Sequence, residues 1–422
     1  MSAHPKSPPQ KSQRPTLRRL AIFDAVMRTG SAGAAAQDIG LSQPAVTHAL
    51  GKLEGEVGGR LFDRGPGGSA PTKAGRILHR RVERMLNQAQ LGLQDARAGV
   101  AKPFDARLVS RSLTTPQVRA HLAIVDRGSF RAASRALAMA EPTLHRAARD
   151  LERVVGAPLY RRTPQGVSAA PAGLAFAGKL RLALYEIDQA LDELQAERGA
   201  AGGRIFVGCL PLMPKSVLAR TVGRLLQTYP NVKVEIEEAS HEALMEGLRS
   251  SELDVVIGAL RSPRLCGDVV ERMLFRDPHV AVARAGHPLA DRTMLRQDDL
   301  ATFPWVAPSG NTPRRAFIED LFDRLPMRPR IVAETSSLAV MTAILRESDC
   351  LTLMSRAQAM DEFQSVGVAM LPINLHAAER VVGVTTRSEW LPTLVQRRFL
   401  TLLREECHQL SADDRMGSPV GA

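Results

Sequence analysis

Ser42, Gln43, Thr47 and His48 lie within two helical turns of one another, and all four carry polar groups of modest reach. At the start of a helix such side chains can hydrogen-bond base edges in a DNA major groove, where a glutamine carboxamide both donates and accepts. The free amides of that helix end, with Arg64 beyond it, can meet phosphates. The bland alternative is that Ser42 only caps the helix and Gln43 is only solvated.

The surrounding residues say what must hold these groups. Leu17, Leu20, Phe23 and Met27 fall on one face of a helix ending near Gly30. Ser31 is placed to cap a short Ala-rich helix to Ile39, in which Ala34 and Ala35 allow close approach. After a break at Gly40-Leu41, Ser42 caps a third helix that tolerates Pro44 in its first turn and points Val46, Leu50, Leu53 and Val57 inward. This is a helix-turn-helix. Residues 61–64 and 69–71 flank Gly65-Pro66-Gly67-Gly68 and read as a hairpin wing. Thr72 then caps a long helix over about Lys73 to Arg97.

Sliding the chain by 98 residues superposes Gly30-Ser31 on Gly128-Ser129, Pro44 on Pro142, Leu53-Glu54 on Leu151-Glu152, Arg64 on Arg162 and Ala74-Gly75 on Ala172-Gly173, with no gap. One unit is therefore used twice, and a second long helix is expected over about Ala172 to Glu197. The second copy departs at its helix tip: Ala140 replaces Ser42, Glu141 replaces Gln43, and His121 stands in place of Phe23. A carboxylate at a helix start suits the dipole but repels phosphate, whereas His145, Arg146, Arg149 and Arg162 supply donors. The residues leave two readings open for this copy, a DNA contact or a purely structural or pairing module.

Charge follows the same division. Of the net +12, residues 1–110 contribute +9 (17 Lys/Arg against 8 Asp/Glu) and residues 111–203 contribute +4 (13 against 9), while residues 204–422 contribute −1 (26 against 27). A basic front joined to a neutral back fits a polyanion-binding region followed by something else. At 422 residues several folded units are expected. No run of eighteen apolar residues appears and residues 1–15 lack the apolar block of a secretory signal, so a cytoplasmic protein without membrane contact is expected. Cys209, Cys266, Cys350 and Cys407 show no metal or redox spacing and read as reduced thiols in or near cores. No cofactor is expected. Enzyme motifs are missing: His241-Glu242 lacks the second histidine of a zinc helix, and there is no phosphate loop or GxSxG elbow.

Residues Phe23 to Gly75, with GSAGAAA, LSQPAVTHAL, KLE, GGRLFDR and PTKAG, resemble the winged helix-turn-helix of LysR-type transcriptional regulators. The resemblance implies a recognition helix carrying Ser42, Gln43, Pro44, Ala45 and Thr47, and a linker helix that pairs two subunits. GSFRAAS, MAEPTLHRAARDLE, GAPLYRR and SAAPAGLAF resemble the same module, although the ordinary family member has one.

Behind the repeats the period changes. Strand candidates at 205–208, 232–236, 254–258, 280–283, 331–334, 350–354, 369–371 and 381–385 are interleaved with helices at 215–228 and 241–249, and the last helix is read over Thr393 to Cys407. Such alternation points to a parallel-sheet α/β domain. This region resembles the effector-binding part of the same regulators, a two-lobed fold similar to type 2 periplasmic binding proteins. FPWVAPSGNTPRRAFIEDLF and ETSSLAVMTAILRESDCLTLMSR are most similar to the branch holding galactose-binding-protein and protocatechuate-pathway regulators.

The expected fold is therefore multidomain: a tail at 1–15, winged helix-turn-helix units at 16–75 and 116–173, linker segments at 76–115 and 174–203, an effector domain at 204–408 and a tail at 409–422. Lobe 1 is expected at about 204–262 and 372–408, and lobe 2 at about 263–371. Ligands of such sheets bind at helix N-termini beyond strand ends, which singles out Leu210, Pro211, Ser309, Gly310, Asn311, Thr312, Ser336 and Ser337, with plain capping as the competing role of the hydroxyls. The combined expectation is a sequence-specific DNA-binding regulator that answers to a small anionic metabolite. Its partners would be double-stranded DNA, that effector, and further copies in a homodimer or homotetramer. The alternative is a non-DNA interaction protein whose repeats only mediate oligomerisation.

Overall fold

The computed structural model describes residues 14–65, 68–98, 100, 105, 111–163, 166–199, 202–210, 213–260, 267–310, 312–373, 375 and 379–416. The chain divides into two compact units, Met1–Gly203 and Arg204–Ala422.

In the first unit, α1 (Leu17–Thr29), α2 (Ala32–Ile39) and α3 (Gln43–Val57) are followed by a hairpin of β1 (Phe62–Gly65) and β2 (Gly68–Pro71) and by α4 (Lys73–Ala96). Each helix start has its hydroxyl: Thr16, Ser31, Ser42 and Thr72 accept from the amides of Arg19, Ala34, Ala45 and Gly75. The same succession then recurs as α5 (Thr115–Arg127), α6 (Phe130–Leu137), α7 (Glu141–Val155), β3 (Tyr160–Thr163), β4 (Gly166–Ala169) and α8 (Pro171–Glu197). Gly75 and Gly173 show why the repeat keeps its glycines: an added Cβ would fall 2.2 Å from the Leu61 carbonyl in one copy and 2.2 Å from the Leu159 carbonyl in the other. The second copy is strained where it diverges. Ala138 takes the left-handed conformation (φ 50°) that Gly40 supplies in the first, a geometry disfavoured for any residue with a Cβ. In α2 the buried small pair is Ala35 and Ala36, one residue later than the spacing suggests, while Ala34 is exposed.

The long helices α4 and α8 pair antiparallel. Lys73 meets Glu197 at 2.7 Å, Arg80 and Arg81 meet Glu193 at 3.1 and 2.6 Å, and Arg81 and Arg84 meet Glu186 at 2.8 Å each. Gly92 lets them close, since a Cβ there would lie 2.7 Å from Cβ of Lys179. The linker-helix face expected to pair two subunits is thus covered within one chain.

The second unit contains β5 (Gly202–Cys209), α9 (Lys215–Thr228), β6 (Asn231–Glu238), α10 (His241–Arg249), β7 (Val255–Ala259), β8 (Val269–Asp277), β9 (His279–Arg284), β10 (Trp305–Ala307), α11 (Pro313–Asp323), β11 (Ile331–Glu334), α12 (Leu338–Arg346), β12 (Thr352–Ser355), α13 (Arg356–Val366), β13 (Val368–Met370), β14 (Arg380–Arg387) and α14 (Leu394–Met416). Five strands form one sheet in the order β6-β5-β7-β14-β8, built around Val207, Ile257, Val384, Phe399 and Leu403. A three-stranded β12-β9-β13 sheet and a β10-β11 pair surround Trp305, Phe322 and Leu353.

The second unit differs from the sequence expectation in three places. The sheets are mixed: β5 and β7 run parallel, but β14 is antiparallel to both its neighbours and β9 to both of its own. Residues 269–277, assigned from sequence to the second lobe, form the edge strand of the first-lobe sheet against β14. Glu271 and Arg272 break its apolar pattern because the middle of this edge, residues 271–273, is exposed. The last helix also runs on to Met416, through the first half of the expected tail.

Candidate nucleic-acid interface and candidate effector site

The start of α3 stands out from the first unit. Val46 is fully buried and anchors the turn, while Ser42, Gln43, Pro44, Ala45, Thr47 and His48 are exposed around it. Ser42 does cap the helix, its Oγ accepting from the Ala45 amide at 3.4 Å. The Gln43 side chain lies over Gly33 of α2, its Oε1 3.7 Å from where a Cβ would stand, an ordinary contact distance. The backbone of Arg64 pairs with Ser69 in the wing; its side chain lies outside the described residues.

The equivalent tip of α7 is built differently. Ala140 gives no side-chain cap, and Glu141 is the acidic residue of the first turn. His145 is half-buried, its ring stacked on Phe130 with centroids 4.3 Å apart and planes 11° from parallel, so it is not the free donor expected from the sequence. Arg146, Arg149 and Arg162 are exposed.

Behind this tip the Phe23–Phe62 contact of the first copy (centroids 5.6 Å) becomes His121–Tyr160 at the same 5.6 Å. His121 is fully buried, with Nε2 2.9 Å from the Gly173 carbonyl and Nδ1 2.9 Å from the Tyr160 hydroxyl. A carbonyl only accepts, so Nε2 carries the proton and Nδ1 accepts from the tyrosine. Burial pushes the imidazole pKa down from 6.5 to about 4, against the pull of the Gly173 carbonyl. The unfolded chain therefore binds the extra proton between these values. The stability His121 permits is complete above pH 6.5 and is lost as pH falls toward 4, by roughly 3 kcal/mol in all. The double variant His121→Phe/Tyr160→Phe, which restores the first copy's pair, should flatten that part of the acid dependence in urea unfolding at pH 7 and pH 5; an unchanged slope would remove His121 as its source.

In the second unit the hydroxyls singled out from sequence are largely committed. Thr312 caps α11, accepting from the Arg315 amide at 3.2 Å, and Ser337 caps α12, accepting from Val340 at 3.4 Å. Ser309 is half-buried, whereas Gly310 and Ser336 are exposed. The Leu210 amide is spent on the Ile257 carbonyl at 3.0 Å. Pro211 and Asn311 lie outside the described residues.

The residue that sequence reasoning missed is Arg314, in the first turn of α11. It is 5 % exposed, and its Nε and Nη1 have no hydrogen-bond partner among the described residues. Burial pulls its pKa down to about 10, and the neighbouring charge of Arg380, itself paired with Asp277 at 2.8 Å, acts in the same direction. A buried cation at the positive end of a helix is an anion site by its electrostatics. Its sequence signal is Pro313-Arg314-Arg315 directly after the Thr312 cap, a basic pair in the first turn of a helix.

Among the described residues no group of three or more His, Cys, Asp or Glu could hold a metal ion, and no helix is long and apolar enough to cross a membrane. Cys209, Cys350 and Cys407 are buried thiols, while Cys266 lies outside the described residues.

Residues 17–76 and, separately, 116–174 match the bacterial regulatory helix-turn-helix protein, lysR family, and residues 198–408 match the LysR substrate binding domain. The HTH-type transcriptional regulator GalR of Pseudomonas putida is 28% identical over 392 residues, which span 93% of this chain and 97% of that protein. The HTH-type transcriptional regulator PcaQ of Agrobacterium fabrum is 26% identical over 280 residues, spanning 66% of this chain and 90% of that one. The structure of a full-length OxyR variant from Pseudomonas aeruginosa shares the fold at a TM-score of 0.50 and 19% identity, covering 70% of this chain and 95% of that chain.

Proposed function

The chain belongs to the LysR family of DNA-binding transcriptional regulators, and on that premise we propose which residues read DNA and what chemistry the substrate-binding domain detects. The chain is a regulator and not an enzyme. Its first unit is a tandem of two winged helix-turn-helix modules, and the α3 tip is the primary reading surface. The exposure of Ser42, Gln43, Thr47 and His48 around buried Val46 carries this reading. A bidentate Gln43 carboxamide selects adenine, and Arg162, exposed on the second wing, meets phosphate, as does Arg64 at the equivalent position of the first repeat.

Gln43→Ala should lose about 1–3 kcal/mol of discrimination at one base position and leave affinity at the others nearly unchanged. A binding assay against single-base variants of a selected operator checks this. A uniform loss across all positions would point to a structural role for Gln43.

The second unit is a two-lobed domain of the type 2 periplasmic-binding-protein kind, and its effector is a small anion. The lobes already touch, through Lys215 to Glu362 at 3.3 Å and the Ser216 amide to Asp361 at 3.1 Å. A carboxylate taken by Arg314 and the α11 N-terminus, with Ser309 and Ser336 as further donors, would change how these lobes close. Lobe closure then alters how the recognition helices are presented to the operator. Replacing Ser309 or Ser336 should blunt the effector response while sparing DNA affinity.

A further inference from the structure

The two winged modules of Met1–Gly203 are locked together by reciprocal contacts. The Leu17 amide donates to Thr115 Oγ1 at 3.2 Å, joining two residues that the 98-residue offset makes equivalent. An element touches its own equivalent in this way across a two-fold relation. The cores are exchanged in the same sense. Ala89, Leu93 and Ala96 of α4 complete the core of the second module, and Ile187, Leu191 and Leu194 of α8 complete that of the first.

The helix ends repeat the exchange. Arg97, closing α4, donates to the carbonyls of Val155 and Gly156 at the end of α7 (2.9 and 3.1 Å). Arg198, closing α8, donates to the Val57 carbonyl at the end of α3 (2.7 Å). Because Lys73 meets Glu197, the end of α8 lies at the start of α4. The C-terminal ends of the two recognition helices are therefore held at opposite ends of α4, whose 24 residues rise about 36 Å. The major groove returns to one face of B-DNA about every 34–36 Å.

We propose that one chain is a complete reader of a two-half-site operator, an intramolecular counterpart of a symmetric dimer, and that its half-sites are unequal. The inference rests on the reading of α3 given above and extends it to α7. At the first half-site α3 presents Ser42, Gln43, Thr47 and His48. At the second, α7 presents Glu141, Arg146 and Arg149, which favour cytosine and guanine contacts. The partner is thus duplex DNA carrying two different half-sites one helical turn apart. Glu141 has its place in this scheme as a base-reading group at a tip whose phosphate contacts come from arginines.

The test selects operators for the full-length protein from random duplexes, counts chains per duplex by native mass measurement and maps protection with hydroxyl radicals. The expected result is two protected blocks per bound chain, about one turn apart. Gln43→Ala should alter base preference in one block only and Arg146→Ala in the other only, each by about tenfold or more. One block per chain, or both variants acting on the same block, would overturn the inference while leaving DNA reading by α3 intact. Failure to select any sequence would overturn both.

Discussion

Arg81→Met is expected to destabilise the first unit by about 3–5 kcal/mol, because it leaves two carboxylates in a nearly dry interface without their central cation. The Arg81 side chain is wholly inaccessible, and those of Glu186 and Glu193 are 6% and 9% exposed. Burial lowers the guanidinium pKa, but hydrogen bonds and charge from Glu193 and Glu186 more than offset it, so the group is held firmly protonated. Arg84 touches the same Glu186 from a side chain 29% exposed, and Arg84→Met should lose no more than about 1 kcal/mol. Urea unfolding of the full chain would show the first-unit transition moving far for Arg81→Met and little for Arg84→Met. Replacing Arg81, Glu186 and Glu193 together by apolar residues should restore most of the loss, since ion groups of this kind can be exchanged for well-packed hydrophobes. Equal, small shifts for both single variants would show that the α4–α8 pair is held by its apolar seam alone.

Arg314→Met is expected to act in the opposite direction. Removing an unpaired buried cation should stabilise the ligand-free second unit by about 2 kcal/mol. The same change should weaken binding of a small carboxylate by about 1.5–3 kcal/mol, the worth of a hydrogen bond to a charged group. Thermal denaturation against a panel of small carboxylates reads both effects. The native chain should gain stability with the matching acid, whereas the variant should start higher and respond weakly. A variant that starts lower, or answers as strongly as the native chain, would dissociate Arg314 from anion binding.

Much of this was legible in the residues themselves. Ser31, Ser42 and Thr72 announced the helix starts because capping is local chemistry, and the 98-residue offset announced the second module because each contact between α5, α6 and α7 reuses an apolar position of the first. What could not be read was set by partners far along the chain. The exchange of α4 and α8 between the two cores depends on residues about a hundred positions apart, and an Arg81 beside Glu193 looks in sequence like two solvated helix charges. Strand β8 is illegible in the sequence because its alternation is blurred by exposed Glu271 and Arg272, and only its pairing with β14 makes it a strand. Arg314 was hidden for a similar reason. Its sequence context promises an ordinary first-turn residue, and burial without a partner is a property of the folded domain.

The second module shows how a repeat keeps its frame while its surface changes. Gly173, Leu159 and Glu152 hold the same positions as Gly75, Leu61 and Glu54, and both glutamates accept from the amide seven residues on, at 2.8 and 2.7 Å. The tip is where the copies part: Ala138, Ala140 and Glu141 give up a glycine, a cap and a carboxamide. Loss of the cap and a left-handed alanine are tolerated there because the core behind α7, with Leu144, Ala148 and Leu151, is fully packed. The divergence at the surface is what makes unequal half-sites the natural reading of a nearly two-fold scaffold.

Sequence reading by this chain depends on the opening turn of α3 entering the wide groove of duplex DNA. Methylation interference on a selected operator tests this most directly, because methyl groups at guanine N7 occupy the major groove and those at adenine N3 the minor groove. N7 interference at guanines within the half-site whose base preference Gln43→Ala alters is the expected result. Binding that tolerates N7 methylation everywhere, with or without Gln43, would contradict entry of α3 into the major groove.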